Sequence, residues 1–435
     1  MNKDIMDKAE YCLKCKEKPC SLKGCPLNND IPGFIQKVKE EKFEEAYHIL
    51  TENTVLPAIC GRICPHYKQC MGMCIRGIKG KPVDIGKIEA FIGDIAIEKG
   101  YKIKKQNIQN KNIAIIGGGP AGLTAAAFLA RRGNKVTIYE KYNYLGGLLM
   151  HGIPDFRLPR ETIKKSIDKI LELGIEVKYN KELGNNLKIE DLKEYDNIIL
   201  SFGANVSSKI GIEGENLKGV YGANELLEYN THPEYKGKTI AIIGGGNVAM
   251  DTARVIKKKG AKKVIVIYRR AREQMPAEQK EVEDAINEGV EFLFQNNIVK
   301  IIGKEKVEKI ELVKTKLIQK EGEKRLSPMT IEGSNYEIDM DYVVMAIGSN
   351  PSKITTKLGL ELDKIGKIKV GDKGQTSNPK IYAIGDLSGN ICTVAWAAKS
   401  GRVVAEKICE WFNIITIEKC HKNVIILVTQ ENSEI

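Results

Sequence analysis

The chain has 435 residues, of which 42% are hydrophobic and 29% are charged, a balance typical of a globular protein of about three domains. No apolar run approaches the ~20 residues that span a bilayer, and the charged N-terminus, MNKDIMDKAEYC, lacks the apolar core of a secretory signal, so we expect a cytoplasmic protein with no membrane segment. The net charge of +12 comes from scattered lysines without interleaved aromatic residues, which excludes nucleic acid as the expected partner. We favour a solvated lysine-rich surface, and an acidic electron-transfer partner is the functional alternative.

The first feature along the chain is a cysteine-rich segment. Eight of the eleven cysteines precede residue 75, and none lies between Cys74 and Cys392. In a cytosolic chain such clustering predicts bound metal rather than disulfides. Two groups of four thiols match two [4Fe-4S] cubanes with one thiolate per iron, and the alternatives are two structural zinc sites or free thiols. The predicted ligands are Cys12, Cys15, Cys20, Cys25, Cys60, Cys64, Cys70 and Cys74.

The segment 113–140, IAIIGGGPAGLTAAAFLARRGNKVTIYE, has the pattern of a dinucleotide-binding βαβ unit. In its G-x-G-x-x-G run, Gly117 makes the tight turn, Gly119 lets the backbone approach a pyrophosphate, and Gly122 lets the helix pack on the strand. Glu140 stands at the end of the second strand, where an acid binds a ribose hydroxyl. The predicted cofactor contacts are Gly117, Gly119, Pro120, Ala121, Gly122 and Glu140.

The loop after Glu140, YLGGLLMHGIPDFRLPRE, supplies further candidates. Gly147 suits a loop pressed against a bound cofactor, although an ordinary turn would also use a glycine there. The guanidinium of Arg157 can pair with a pyrophosphate.

The segment 239–270, TIAIIGGGNVAMDTARVIKKKGAKKVIVIYRR, repeats the same design with G-x-G-x-x-A. Its second strand ends in arginine instead of an acid. An acid there would repel a 2′-phosphate and an arginine would bind it, so the sequence predicts NADPH over NADH, unless these arginines form a solvated turn. The predicted contacts are Gly244, Gly245, Gly246, Asn247, Val248, Arg269, Arg270 and Arg272, together with Ala346, Ile347 and Gly348 of DYVVMAIGSN.

The closing segment, PKIYAIGDLSGNICTVAWAAKSGRVVAEK, is predicted to complete the first site. A strand ends in Gly385 and Asp386, where a carboxylate can bind a ribityl hydroxyl. Thr393 then opens a helix whose N–H groups can face a flavin and stabilise negative charge on the reduced ring. Residues 413–435, including NVIILVT, have no assigned role: a strand, a partner contact and disorder all stay open.

Taken together, these motifs resemble the small subunit of NADPH-dependent glutamate synthase and its relatives. The relatives include the NADPH-binding subunit of electron-bifurcating ferredoxin:NADP transhydrogenase and the N-terminal half of dihydropyrimidine dehydrogenase. The resemblance rests on the two cysteine groups, the NNDIPGFI between them, GGLLMHGIPDFRLP, MPAEQKEVEDAINEGVEFLF and the GD…TV…GR pattern, and it covers roughly residues 8–412.

The resemblance implies FAD, NADPH and two [4Fe-4S] clusters as cofactors, with Glu140, Leu148 and Arg157 in contact with FAD. It also implies that the cysteine groups interleave. One departure is that four residues, SLKG, separate Cys20 from Cys25 where the family has three, and we expect a local loop to absorb the extra one. The implied ligand sets are Cys12, Cys15, Cys20 and Cys74 for one cluster, and Cys25, Cys60, Cys64 and Cys70 for the other.

The implied fold is α/β, with two Rossmann-like domains for FAD and NADP, the second inserted in the first, preceded by an α-helical double [4Fe-4S] domain. The predicted boundaries are 1–108 for the cluster domain, 109–230 and 346–412 for the two parts of the FAD domain, 231–345 for the NADP domain and 413–435 for the tail.

The implied activity is that of a flavin-dependent oxidoreductase, in which NADPH gives a hydride to FAD and electrons pass to the clusters and a partner subunit. No side chain is predicted to be catalytic because the flavin carries the chemistry. The first hypothesis is the small subunit of glutamate synthase, with a separate large subunit as electron acceptor. The second is a subunit of a bifurcating transhydrogenase or sulfide dehydrogenase, with a ferredoxin or flavin reductase subunit as partner.

Two further hypotheses are disfavoured. A non-enzymatic cluster scaffold would not need the intact glycines together with Glu140, Arg269 and Asp386. A thioredoxin-reductase-like dithiol enzyme would need redox cysteines in the inserted domain, which contains none.

Overall fold

The computed structural model describes residues 3–106, 109–322, 325–389 and 391–420, with side chains up to residue 409. The helices of this part of the chain are α1 (Lys3–Glu10), α2 (Ile31–Lys39), α3 (Phe43–Thr51), α4 (Pro57–Ile63), α5 (Ile85–Glu98), α6 (Pro120–Ala130), α7 (Leu148–His151), α8 (Arg160–Leu171), α9 (Ala223–Tyr229), α10 (Asn247–Lys258), α11 (Gln279–Asn287) and α12 (Val394–Cys420). None of these helices is long and apolar enough to cross a membrane.

The strands fall into four sheets. They are β1 (Asn112–Ile116), β2 (Lys135–Tyr139), β3 (Glu176–Lys178), β4 (Asn197–Leu200), β5 (Val206–Ser207), β6 (Val220–Gly222), β7 (Thr239–Ile243), β8 (Lys263–Tyr268), β9 (Glu291–Phe294), β10 (Asn296–Ile302), β11 (Lys309–Ile318), β12 (Ser327–Thr330), β13 (Tyr336–Asp339), β14 (Tyr342–Met345), β15 (Ser349–Asn350) and β16 (Ile381–Ala383).

The N-terminal domain consists of α1 to α5, with Cys60 in α4 and the other predicted ligands in the turns between the helices. Phe34, Ile59, Ile88 and Ile92 are fully buried in its core. Helices α4 and α5 pack at backbone contact, because a Cβ atom on Gly93 of α5 would overlap Ala58 of α4. This close packing fixes the position of the helix that carries Cys60.

The next domain is built on a parallel sheet with the strand order β16-β4-β1-β2-β3. The central strand β1 is buried from Ile113 to Ile116, which explains its continuous apolar sequence. Helix α6 is buried on all sides and α12 packs along it, where a Cβ on Gly401 would overlap the carbonyl oxygen of Ala121. The last element of the domain therefore lies directly against the start of α6.

The inserted domain repeats this arrangement with a second parallel sheet in the order β6-β14-β7-β8-β9. Helix α10 follows β7 as α6 follows β1, and an antiparallel sheet of β10 to β13 packs beside it. The predicted α/β fold, with a helical domain followed by two Rossmann-like domains and the second inserted in the first, is confirmed.

The chain passes between the two parallel sheets through a short antiparallel pair, β5 with β15. The boundary expected at 230/231 differs from the structure, since β6 and α9 precede it and β6 pairs with β14 of the second sheet. We therefore propose that the boundary lies at β5. Helix α12 also continues through 412/413 to Cys420, and the rest of the predicted tail, 421–435, lies outside the described residues.

Candidate functional site

The first glycine-rich turn is held by the elements on either side of it. Gly117 has φ +103° and donates its N–H to the carbonyl of Tyr139 over 2.8 Å. A Cβ on Gly117 would lie 2.7 Å from the carbonyl oxygen of Ser201, and one on Gly122 would overlap the carbonyl oxygen of Gly117. The Ser201 hydroxyl donates to that same Gly117 oxygen over 2.7 Å. These two glycines are therefore required by the protein itself.

Gly119 differs from its neighbours in the turn. It precedes α6 with φ −78°, and a Cβ built on it would meet no protein atom within 4 Å. The backbone of Gly147, with φ +50°, borders the same space: its Cβ would lie 3.1 Å from the Cα of Gly119. Leu148 begins α7 at this point. Two glycine backbones thus frame open space at the N-terminus of a buried helix, which fits a pyrophosphate.

Glu140 connects this turn to the end of β2. One carboxylate oxygen accepts the N–H of Gly118 over 2.8 Å and the other accepts the N–H of Tyr142 over 3.0 Å. Burial raises the pKa of Glu140, although both of these hydrogen bonds oppose that shift. Each oxygen keeps a lone pair beside the turn, so the carboxylate can still accept a ribose hydroxyl.

The closing segment reaches the same place from the other side. Gly385, with φ +68°, donates its N–H to the hydroxyl of Ser400 over 2.9 Å. A Cβ added to Gly385 would lie 3.1 Å from the Cβ of Ala121. Asp386 is half-buried and burial raises its pKa. The Thr393 hydroxyl accepts the N–H of Trp396 over 3.4 Å at the start of α12. The structure thus brings both predicted halves of the first site together around the start of α6.

The second glycine-rich turn repeats this geometry. Gly244 has φ +144°, and a Cβ there would overlap the carbonyl oxygen of Ala346, so the predicted residues Ala346, Ile347 and Gly348 lie beside the turn. A Cβ on Gly246, with φ −91°, would find its nearest atom 4.0 Å away in Pro276. Gly246 therefore borders open space at the N-terminus of α10, as Gly119 does at α6.

A short segment, 276–278, covers one side of this turn. The N–H of Ala277 donates to the carbonyl of Gly245 over 3.1 Å, and the N–H of Glu278 donates to the side-chain oxygen of Asn247 over 2.9 Å. The side-chain oxygen of Asn247 is therefore engaged in a hydrogen bond within the protein, whereas the side chain of the adjacent Val248 is exposed.

The end of β8 is surrounded by guanidinium groups. Arg269 and Arg272 are exposed, and within the described residues their side chains have no hydrogen-bond or ion-pair partner. The Nε of Arg270 donates to the carbonyl of Leu326 over 2.9 Å. The sequence analysis missed Arg325, whose guanidinium donates to the Tyr268 hydroxyl over 2.8 Å. Arg325 comes from the distant Lys/Glu-rich hairpin, and only the pairing of β11 with β12 brings it here.

Arg157 forms an ion-pair network between two domains. Its Nη1 donates to both carboxylate oxygens of Asp251 over 2.8 and 2.7 Å, and its Nε pairs with Glu281 over 3.0 Å. Asp251 lies on α10 and Glu281 on α11, so the buried guanidinium joins the first Rossmann-like domain to the second. Burial raises the pKa of Asp251 to about 6 even though Arg157 opposes the shift. These pairs use Nη1 and Nε and leave out Nη2, so the expected contact of Arg157 with FAD stays a prediction.

The first set of cysteines lines one cavity. Cys12, Cys15, Cys20 and Cys74 all contribute to its wall, together with apolar side chains such as Ile35. The extra residue in SLKG is absorbed by a π-turn, Cys20–Gly24, in which the N–H of Cys25 donates to the carbonyl of Cys20 over 2.9 Å. Cys20, at the start of this turn, lines the cavity of the first set, and Cys25 follows at its end.

The second set lies deeper. Burial, and then the carboxylate of Glu89, raise the pKa of Cys25 to about 12 and also raise the pKa of Cys70. The hydrogen bond with Cys60, and then burial, raise the pKa of Cys64. Glu89 itself is buried on α5 beside Cys60, and its Oε1 has no hydrogen-bond partner. Buried thiols and a carboxylate with a free oxygen fit a cationic centre, which would allow them to ionise. The sequence analysis missed this buried carboxylate, because Glu89 stands in an ordinary helical pattern.

Zinc sites and cubane clusters need different arrangements of the same thiols. A zinc site needs four donors at about 2.0–2.3 Å from one ion, whereas a cubane spreads its thiolates over four irons. Among the described residues, no three His, Cys, Asp or Glu side chains are arranged to hold a single metal ion.

Comparisons with known proteins agree with this organisation. The family described as pyridine nucleotide-disulphide oxidoreductase matches residues 111–401, and the dihydropyrimidine dehydrogenase domain II, 4Fe-4S cluster, matches residues 1–101. The glutamate synthase [NADPH] small chain of Halomonas elongata is 35% identical, with 94% of this chain and 91% of that protein covered. The NADP(+)-dependent formate dehydrogenase subunit beta of Moorella thermoacetica is 34% identical over 90% of this chain and 60% of its own length. Mycobacterium tuberculosis FprA in complex with NADPH shares the fold, with a TM-score of 0.64 and 21% identity over 72% of this chain and 86% of that one.

The two glycines that flank the start of α6 should respond differently to the same substitution. Gly122→Ala overlaps the Gly117 carbonyl oxygen and should lower the free energy of unfolding by about 1–3 kcal/mol. Gly119→Ala meets no protein atom and should leave the stability of the FAD-depleted protein within about 1 kcal/mol of wild type, while it weakens FAD binding at least about tenfold. Thermal unfolding and flavin titration measure both quantities. Normal FAD affinity in Gly119→Ala would contradict the assignment of this space to the cofactor.

Arg157→Ala should destabilise the protein by about 3–5 kcal/mol, because it leaves the buried Asp251 without its partner. Lys165→Ala, which breaks an exposed pair with Glu161 on α8, is the matched control and should cost no more than about 1 kcal/mol. The double variant Arg157→Ala/Asp251→Ala should regain part of the loss. If Arg157→Ala instead kept wild-type stability and lost FAD, its assigned role between the domains would be wrong.

Proposed function

The chain belongs to the pyridine nucleotide-disulphide oxidoreductase family and to the family of glutamate synthase small chains, and on that premise we propose that it carries electrons from NADPH to a partner subunit. The turn at Gly119 would hold FAD, the turn at Gly246 would hold NADPH, and the two cysteine sets would hold [4Fe-4S] clusters. When bound, FAD takes a hydride from NADPH and gives single electrons to the clusters. The protein groups hold these cofactors at fixed positions.

The observation that carries the proposal is the pair of open glycine turns with opposite charges at the ends of their second strands. Glu140 at the first turn offers a hydroxyl acceptor and repels a 2′-phosphate. Arg269 and its neighbours at the second turn would bind that phosphate. The difference supports FAD in the first domain and NADPH in the second.

The packing of the helical domain supports an order of electron transfer. Cys25 lies two residues from Leu27, whose carbonyl accepts a hydrogen bond of 3.0 Å from Arg402 of α12. Helix α4, which carries Cys60, packs against α8 and α12 of the FAD domain. We infer that the set of Cys25, Cys60, Cys64 and Cys70 receives electrons first.

The set of Cys12, Cys15, Cys20 and Cys74 would then pass the electrons outward. The two sets adjoin where Gly24 lies against the backbone of Cys70, since a Cβ there would be 2.8 Å from the Cα of Cys70. Leu13 and Ile75 line the cavity of this set and are themselves exposed, so this second step would end near the protein surface.

No acid or base is assigned to the reaction. His151 is buried beside the flavin-domain loop, and burial lowers its pKa to about 4, which leaves the imidazole neutral at pH 7. Its Nδ1 lies 3.4 Å from the Tyr144 hydroxyl. We assign it a packing role between the two domains.

The relatives are small or beta subunits, so this chain works with a partner subunit. Its high coverage of the glutamate synthase [NADPH] small chain supports a glutamate synthase large subunit as that partner. The formate dehydrogenase subunit beta supports the second candidate, in which the same reductase serves a different redox enzyme.

The double variant Arg269→Ala/Arg270→Ala tests the nicotinamide assignment. Because each lost charged hydrogen bond is worth about 1.5–3 kcal/mol, NADPH affinity should fall at least about tenfold, while NADH affinity should change little. Binding titrations and the rate of flavin bleaching under anaerobic conditions measure the effect. Gly246→Ala is the contrasting variant and should weaken both nucleotides equally. Equal losses of NADPH and NADH in the arginine variant would contradict the 2′-phosphate role.

A further inference from the structure

The helical domain exposes several large apolar side chains near the set of Cys12, Cys15, Cys20 and Cys74, which we call the outer set. Within residues 11–78, Ile78 is 77% exposed, Tyr67 is 67% exposed and Leu22 is 64% exposed, and Leu13, Met73 and Ile75 are also exposed. Single exposed apolar residues are ordinary, but a group of them on one face marks an interaction site.

These side chains belong to one continuous surface, which we call the outer face. The turns Cys20–Gly24, His66–Lys68 and Ile75–Ile78 each pack on the turn Met71–Met73. Arg76 connects this surface to Tyr11. Its Cζ lies 4.2 Å from the centroid of the Tyr11 ring, and its Nε donates to the Tyr11 carbonyl over 2.9 Å. Leu13 and Ile75 line the cavity of the outer cysteine set, so the outer face lies directly over it.

The same two stretches hold most of the excess positive charge of the chain. Residues 11–25 contain four lysines and one glutamate, and residues 60–83 contain five basic residues and no acidic one. Their net charge is thus +8 in a chain whose total is +12. Part of this charge is engaged within the chain, since Arg62 pairs with Asp94, Lys18 pairs with Asp30, and Lys68 donates to the carbonyl of Pro276.

Much of this charge has no partner within the chain. Among the described residues, the ammonium groups of Lys16, Lys23, Lys79 and Lys81 form no ion pair or hydrogen bond, and all four side chains are exposed. Uncompensated charge of one sign steers association with a surface of the opposite sign.

We propose that the outer face is the docking site for an acidic electron-accepting protein that places its own one-electron centre against the cluster of Cys12, Cys15, Cys20 and Cys74. An apolar centre with a charged rim is the anatomy of a specific protein interface. The apolar residues exclude water above the outer cluster, and the lysines select the partner by charge. This inference deepens the proposed function and rests on it.

The test compares two small one-electron acceptors of opposite charge: rubredoxin, an acidic one-iron protein, and cytochrome c, a basic haem protein. Wild-type holoenzyme with NADPH should reduce rubredoxin with the lower KM, and that KM should rise with added NaCl. The triple variant Lys23→Glu/Lys79→Glu/Lys81→Glu should raise the KM for rubredoxin at least about tenfold and lower the KM for cytochrome c. Ile78→Ser should raise the rubredoxin KM without changing its salt dependence.

The matched control reverses three exposed lysines outside the helical domain, Lys304→Glu/Lys353→Glu/Lys364→Glu, and should keep both KM values at wild type. NADPH-dependent reduction of menadione, a small neutral acceptor, should be the same in all variants. If the two triple variants change the rubredoxin KM equally, or neither changes it, the docking proposal is overturned. If wild-type holoenzyme reduces neither menadione nor protein acceptors with NADPH, the proposed function itself fails.

Discussion

The close approach of backbone to backbone at the start of α6 is the constraint on which the rest of the structure depends. The turn of β1 contacts β4 through Gly117, and α12 lies on Ala121 through Gly401. Any side chain larger than hydrogen at Gly117, Gly122 or Gly401 would separate these elements. Gly119 alone is free of such contact, which leaves room for a pyrophosphate where the helix N-terminus points. The inserted domain has the same arrangement: Gly244 is in close backbone contact with Ala346, and Gly246 borders open space.

Local signals in the sequence predicted much of this. The strand–glycine–helix units were recognisable because their spacing lies within thirty residues, and the cysteine sets because clustered thiols are rare in a cytosolic chain. Features that depend on distant contacts were not predictable: Arg325 reaches the nicotinamide site only through a hairpin, and Arg157 is held by two carboxylates of another domain. The boundary that we propose at β5 depends on such a contact too, because β6 joins its sheet beside β14, more than a hundred residues later.

The two kinds of charge in the chain serve different purposes. The buried pair of Arg157 with Asp251, and the pair of the exposed Lys141 with the buried Glu228, join the nucleotide-binding domains at the cost of desolvation. Exposed lysines instead concentrate on the outer face of the helical domain. The sequence suggested a uniformly solvated basic surface, but the fold places most of the excess charge where electrons would leave. We therefore propose that the molecule is organised as a path from a two-electron site in the FAD domain to a one-electron site near the surface of the helical domain.

The order of that path is the central claim, and freeze-quench EPR after anaerobic mixing with NADPH tests it most directly. The inner cluster is the one that Cys25, Cys60, Cys64 and Cys70 would hold, and the outer cluster is the one that Cys12, Cys15, Cys20 and Cys74 would hold. In the variant Cys60→Ala/Cys64→Ala, which lacks the inner cluster, flavin bleaching should keep its wild-type rate while the outer cluster stays oxidised. In Cys15→Ala, which disrupts the outer set, the inner cluster should still be reduced at its normal rate. Reduction of the outer cluster at the wild-type rate in the Cys60→Ala/Cys64→Ala variant would contradict the order, because electrons would then reach the outer cysteines without passing the inner ones.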